Sequence, residues 1–209
     1  MPQNRWVLGG LAVAWFGVVL LGFKNLQGYK VAQGSPGSPP AYWPSASKIV
    51  PVRFRPTLVF FAHPKCPCTR ASLDELAWIL TRLKDKVPAH IVYFMPSDLK
   101  VQWGKTGLMA MAENIPGAVL HEDLDGLETR RFQVKTSGHV LVYDGQGRLI
   151  FSGGITGSRG HPGANAGRQA VLSLLAEGKS VLNEAPVFGC SLLASMVDPN
   201  GLKELYGKY

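Results

Sequence analysis

"FFAHPKCPCTR", residues Phe60–Arg70, is the stretch on which the fold turns. It closes a longer run, "TLVFFAH" (Thr57–His63), in which β-branched and aromatic residues follow one another without a carboxylate, lysine or arginine. Continuous apolar runs of this length mark a central strand buried on both faces. From Thr69 onward the period changes. Leu73, Leu76, Ala77, Leu80 and Leu83 recur at steps of three and four, Asp74 and Glu75 stand early, Lys84 and Lys86 stand late, and Pro88 forbids continuation. That pattern predicts a helix of about four turns. Cys66 and Cys68 therefore sit at a strand-to-helix junction.

The junction has its own chemistry. A cysteine in the first turn of a helix faces unpaired backbone N–H groups and the positive end of the macrodipole, and both favour a thiolate. Lys65 adds a cation and Thr69 a local hydrogen bond, so a lowered thiol pKa is expected at Cys66, Cys68 or both. His63, at the strand end, titrates near neutrality as a free imidazole. It reads either as a proton donor to a leaving thiolate or as a strand terminator.

Outward from this centre, "HIVYFM" (His90–Met95) is a second buried strand. The strand–helix–strand order implies a right-handed crossover with parallel strands. "TGLMAMAEN" suggests a short helix, "GAVLHED" a third strand and "DGLETRRF" a helical turn. "HVLVYDGQGRLIFSGGI" is an antiparallel hairpin turning through Asp144–Gly147, where glycines supply the turn. The glycine-rich connector "GSRGHPGANAG" leads into a last helix on Ala170, Val171, Leu174 and Leu175, with Gly178 at its end. Arg159, His161 and Arg168 border that connector. Phosphate-loop spacing is missing there, so a surface loop is the plainer reading. No period of 20–50 residues repeats.

The element order is that of an α/β, thioredoxin-like domain: a central mixed β-sheet flanked by helices. "FFAHPKCPC" resembles the strand-to-helix signature of thioredoxins without a gap, matching at Phe60, Ala62, Pro67 and Cys68. Lys65 falls where the family carries its exposed nucleophilic cysteine, so its Cys-x-x-Cys becomes Cys-x-Cys. In "FQVKTSGHVLVY", Gly138 takes the place of the family's cis-proline, which implies a site open on that side. Val59 and Phe60 stand where thioredoxins place a buried aspartate. The N-terminal apolar run, "HPKCPCT", "SRGHPGANAGR" and "PVFGCSL" together resemble the bacterial RedB-type proteins over roughly residues 50–195, a likeness that implies a redox role.

The chain has 209 residues, 46% apolar and 17% charged, enough for about one domain with accessories. Trp6–Phe23 carries no charge and spans roughly 27 Å as a helix, close to a bilayer core. It reads as an uncleaved transmembrane anchor, or else a secretory signal. The expected layout is a tail at 1–5, an anchor at 6–23, a linker at 24–48, the thioredoxin-like domain at 49–185 and an extension at 186–209 holding Cys190. "GSPGSPPAYWPSAS" (Gly34–Ser47) is rich in Pro, Gly and Ser and predicts a semi-extended tether. Lys and Arg outnumber Asp and Glu 22 to 14, a net charge of +8. The cations are scattered, which fits a lipid headgroup surface better than nucleic acid.

These features point to a thiol–disulfide oxidoreductase tethered to the inner (cytoplasmic) membrane by a single pass. Its domain faces the periplasm and acts on a protein thiol or disulfide partner without a cofactor. Cys66 reads as attacking thiolate and Cys68 as resolver. Lys65, His63, Gly138, His139 and Cys190 are auxiliary, with Cys190 either a resolving thiol, a third ligand or a buried hydrophobe. The alternative is a Cu(I) site on Cys66, Cys68 and His139, two thiolates and an imidazole being a soft set. It resembles the Sco-type copper chaperones, although their cysteines are spaced differently. Against a metal role, His139 also reads as a strand-edge residue facing solvent. A peroxide-reducing reading lacks the Pro-x-x-x-Thr-x-x-Cys arrangement.

Overall fold

The computed structural model describes residues 3–84, 87–99 and 106–193. The expected extension therefore lies outside the described residues beyond Leu193. Two compact units divide the chain, residues 1–32 and 33–209. In the first, α1 (Gln3–Val31) is a single helix of 29 residues. It runs longer than the apolar core read from sequence, because no proline interrupts Lys24 to Val31. Among the described residues it is the one helix long and apolar enough to cross a membrane, reaching about 44 Å at the usual rise.

The second unit is built on one six-stranded sheet. Its strands are β1 (Thr57–Ala62), β2 (Ala89–Met95), β3 (Ala118–Leu124), β4 (His139–Tyr143), β5 (Leu149–Gly154) and β6 (Glu184–Ala185). They are ordered β3-β2-β1-β4-β5-β6. β1, β2 and β3 run parallel, β4 is antiparallel to β1, and β5 is antiparallel to β4, as the hairpin pattern requires. β6 is a short parallel addition to β5. Every residue of β1 is buried, which accounts for its uninterrupted apolar run. Each large aliphatic or aromatic side chain removed from water there stabilises the fold by about 1.5–3 kcal/mol.

The helices of this unit are α2 (Pro67–Leu83), α3 (Gly107–Glu113), α4 (Leu127–Arg131) and α5 (Ala166–Glu177). α2 begins two residues before the expected Thr69, because Pro67 occupies the first helical position, where its missing N–H costs nothing. Leu73, Leu76, Ile79, Leu80 and Leu83 are its buried stripe. Lys84 closes it in the left-handed region, φ 48°. Glu75 is buried on the same helix. It pairs with Arg168 of α5 at 2.9 Å and accepts the Gly163 N–H. Trp78 lies under the guanidinium groups of both Arg168 and Arg82. α2, α5 and the glycine-rich connector are thereby locked to one another.

The stretch expected as a tether is instead a strap laid on the domain. The Gly34 N–H reaches Val187 O at 2.8 Å, Ser38 reaches Gln133 O at 3.1 Å and Trp43 reaches Gly147 O at 2.8 Å. Ser47 Oγ and the Lys48 N–H both donate to the Glu128 carboxylate, at 2.7 and 3.0 Å. The Trp43 ring meets Phe132 and Tyr143 edge-on, at centroid distances of 5.2 and 5.1 Å, and Phe132 packs against Phe61. Composition favours an extended backbone here, and one tryptophan with several main-chain bonds fixes where it lies. Trp43→Ala is expected to destabilise the domain by about 2 kcal/mol, less than a fully buried tryptophan because Trp43 is half-buried. Urea unfolding measures this, and an unchanged midpoint would mean the strap contributes nothing.

Candidate functional site

β1 ends at Ala62, and His63, Pro64 and Lys65 turn the chain into α2. Three side chains fix that turn. The His63 N–H donates to Ser137 Oγ at 2.9 Å, and Thr69 Oγ1 donates to His63 O at 3.0 Å. Thr69 and Ser137 oxygens lie 2.9 Å apart. With the Thr69 proton committed to His63 O, Ser137 is the donor in that last bond.

Cys66 is the N-cap of α2 and Cys68 the second residue of its first turn, so the sequence places both thiols correctly at the helix start. What spacing could not show is the third sulfur. Cys190 Sγ lies 2.9 Å from Cys66 Sγ across 124 positions of chain. The segment after β6 carries it there: the Ser137 N–H donates to Cys190 O at 2.9 Å and the Leu192 N–H to Lys135 O at 2.9 Å. Thr136 and Ser191 form a single antiparallel bridge. Gly189 is required at this crossing, since a Cβ there would stand 1.9 Å from Ser137 O. All three cysteines are free thiols.

Gly138 has φ 88° and donates its N–H to Phe61 O at 2.8 Å. A side chain there would be strained, and its Cβ would stand 2.9 Å from Ser72 Oγ. The resemblance implied an open site on this side. The structure corrects that reading, because residues 187–192 cross beside Gly138 and bring Cys190 with them.

Exposure separates the sulfurs. Cys66 has 0% of its surface accessible and Cys68 5%, whereas Cys190 is partly exposed. The expected attacking thiol is thus the most enclosed of the three. Electrostatics nonetheless single it out as the anion. Hydrogen bonds from the thiols of Cys190 and Cys68 draw the Cys66 pKa far down, to about 2, with the backbone N–H groups of Cys190 and Cys68 adding to them against the cost of burial. Cys190 moves the opposite way, because donating to Cys66 and Cys68 favours its protonated form. For Cys68 the bond with Cys190 pulls down, but its bond to Cys66, burial and the Cys66 charge together leave it raised. Arg159 also acts on Cys68, so the connector read as a plain surface loop delivers a cation to the sulfurs.

His63 is 3% exposed and stacks on Phe94 at 5.6 Å. Burial lowers its pKa to about 4, the Cys66 charge opposing and Lys65 assisting. Its Nδ1 accepts the Lys65 N–H at 3.2 Å, so at neutral pH the ring is uncharged with its proton on Nε2. The expected proton donor is therefore a neutral imidazole. Tyr93, which nothing in the sequence singled out, pairs with Ala62 across the β1–β2 ladder. Its buried hydroxyl lacks a partner among the described residues. Burial first, then the charge of Cys66, raises its pKa.

His139 does not join the site. It is opposite Phe61 in the β1–β4 ladder, so its ring takes the Phe61 face, while Gly138, one residue earlier, looks towards Ser72 of α2. Its Nε2 bonds Ser152 Oγ at 2.8 Å, and burial lowers its pKa to about 4 against the Pro36 carbonyl. It is 0% exposed rather than at a solvent edge. Among the described residues no three His, Cys, Asp or Glu side chains form a metal-holding group. The set Cys66, Cys68 and His139 does not fit Cu(I).

No protein-family model matches the chain, and no curated protein matches it. Solved structures do resemble it in shape. An uncharacterized conserved protein from Geobacillus kaustophilus superposes with TM-score 0.56 at 18% identity, covering 77% of this chain and 91% of that one. A hypothetical protein from Sinorhizobium meliloti 1021 gives TM-score 0.56 at 15% identity, covering 78% and 97%. A secreted Mycobacterium tuberculosis disulfide oxidoreductase, homologous to E. coli DsbE, gives 0.41 at 15%, covering 60% and 83%. The strand order β3-β2-β1-β4-β5, parallel from β1 to β3 and antiparallel from β1 through β5, with α2 following β1, is that of a thioredoxin-like fold. In this thioredoxin-like domain the three sulfurs gather where β1 meets α2, beside the loop that enters β4. A pocket of about 420 Å³ opens at Cys190, with Lys135, Thr136, Arg159, Gly189 and Ser191 on its wall.

Proposed function

We propose that this protein is a membrane-tethered thiol–disulfide oxidoreductase of the RedB type, working on the periplasmic side of the inner membrane. The observation that carries the reading is the 2.9 Å approach of Cys190 Sγ to Cys66 Sγ at the start of α2. A thiolate is stabilised there by the Cys68 and Cys190 N–H groups and their thiols, and thiolate is the species that exchanges disulfides. The long apolar α1 supports a membrane location. A cysteine-based couple supports an oxidising compartment.

The test is a redox titration of the full chain in detergent. Equilibrated against mixtures of reduced and oxidised glutathione, it is expected to lose two alkylatable thiols reversibly in one two-electron step. Three thiols that stay alkylatable across the whole range would refute the reading.

A further inference from the structure

Which two of the three sulfurs exchange is decided by geometry, and the answer rests on the oxidoreductase reading above. Cys66 is the N-cap of α2 and Cys68 stands two residues on, so a disulfide between them would close a small ring through two consecutive peptide units. Pro67 between them is fixed in φ by its ring. The two thiols hydrogen-bond, but departures from disulfide geometry in so small a ring store strain. Cys66 and Cys190 need only about 0.9 Å of further approach to reach an S–S bond near 2.05 Å. Their backbones are already held, Cys66 N donating to His63 O at 3.1 Å and Cys190 O accepting from Ser137. Exposure then orders the pair, since Cys190 alone of the trio borders the pocket while Cys66 is enclosed. Lys135 and Arg159 stand on the wall of that pocket.

We propose that the disulfide this protein cycles joins Cys66 to Cys190, and that Cys190 is the sulfur that meets the substrate, a thiol flanked by carboxylates. In the oxidising direction the substrate thiolate attacks Cys190 Sγ. The Cys66–Cys190 bond breaks, and Cys66 leaves with the electron pair as a thiolate. A second substrate thiol, deprotonated, attacks the substrate sulfur of the mixed disulfide. Cys190 is released and takes up a proton. Two electrons have passed from two substrate thiols to the protein, and one proton has gone to solvent. A disulfide-bearing oxidant restores the bond by the same steps in reverse. Cys66 suits the leaving role because a stabilised thiolate departs fastest. Stabilising the reduced form also makes the couple oxidising. Cys68 donates to Cys66 and keeps its thiol throughout.

The test uses the full chain in detergent, oxidised with glutathione disulfide, denatured, alkylated and digested with trypsin. Cleavage after Lys65 and Arg70 puts Cys66 and Cys68 in one short peptide and leaves Cys190 in another. The expected product is a cross-link between the two peptides, with Cys68 alkylated. It persists in Cys68→Ser. In Cys66→Ser, adding glutathione disulfide traps a mixed disulfide on Cys190. A disulfide within the short peptide, with Cys190 alkylated, overturns this pairing and leaves the oxidoreductase reading intact. No disulfide in any form overturns both. The charge assignment is read from the rate of glutathione oxidation relative to cysteamine. That ratio is expected to fall about tenfold in Lys135→Gln/Arg159→Gln, and an unchanged ratio overturns it.

Discussion

Cys66→Ser is expected to reduce the rate of dithiol oxidation by more than about 10³-fold, the scale of loss when a covalent participant is removed. Far-ultraviolet circular dichroism and the unfolding midpoint should change little, because serine fits the same N-cap position and is favoured there. The substitution has a second signature. Hydrogen bonds from Cys190 and Cys68 place the Cys66 pKa near about 2, so the reduced wild-type protein should keep thiolate absorbance near 240 nm at pH 4. In Cys66→Ser that absorbance should vanish at pH 4. Wild-type absorbance that disappears as pH falls below about 8 would instead describe an ordinary thiol, and the site would lose its chemical rationale.

The second large effect is acid destabilisation. His63 and His139 are almost wholly buried, and burial holds each at about 4 against an ordinary 6.5. His90, in contact with His121 at 2.9 Å, shifts the same way, from burial first and the neighbouring imidazole second. Folded pKa values lie below unfolded ones, so the unfolded chain binds protons first as pH falls. The stability these rings contribute is present above pH 6.5 and is lost as pH falls towards 4. His63 and His139 together should cost about 4 kcal/mol between pH 7 and pH 5, and His90 adds in the same direction. Urea unfolding at a series of pH values gives the slope. A flat profile over that window would place these rings in contact with water. His139→Gln should flatten one share of the slope without touching the sulfurs, since its ring bonds Ser152 of β5 and not a cysteine.

Most of the frame was legible in the sequence because it obeys local rules. An uninterrupted apolar run gave β1, a three-and-four spacing gave α2, and Asp144–Gly147 gave the hairpin. The start of α2 was read two residues late, although proline at a first helical position is itself a signal. The site was half legible. Cys66 and Cys68 stand where the junction put them, but Cys190 arrives through main-chain bonds to Ser137 and Lys135 that no local pattern announces. His139 was misplaced for a simpler reason: strand alternation decides its face, and the parity is fixed only once the register with Phe61 is known. Tyr93 and Arg159 became visible only with the chain folded. Arg159 acts on Cys68 and Tyr93 feels the Cys66 charge, each from its own segment.

The strap carries a last consequence. Residues 34–48 are bonded to the domain from Gly34 to Lys48, so their contour length cannot be paid out as slack. A protease that normally favours proline-, glycine- and serine-rich stretches should find this one shielded and cut nearer Gln33, releasing a fragment with the strap still attached. Strap and sulfurs travel as one piece.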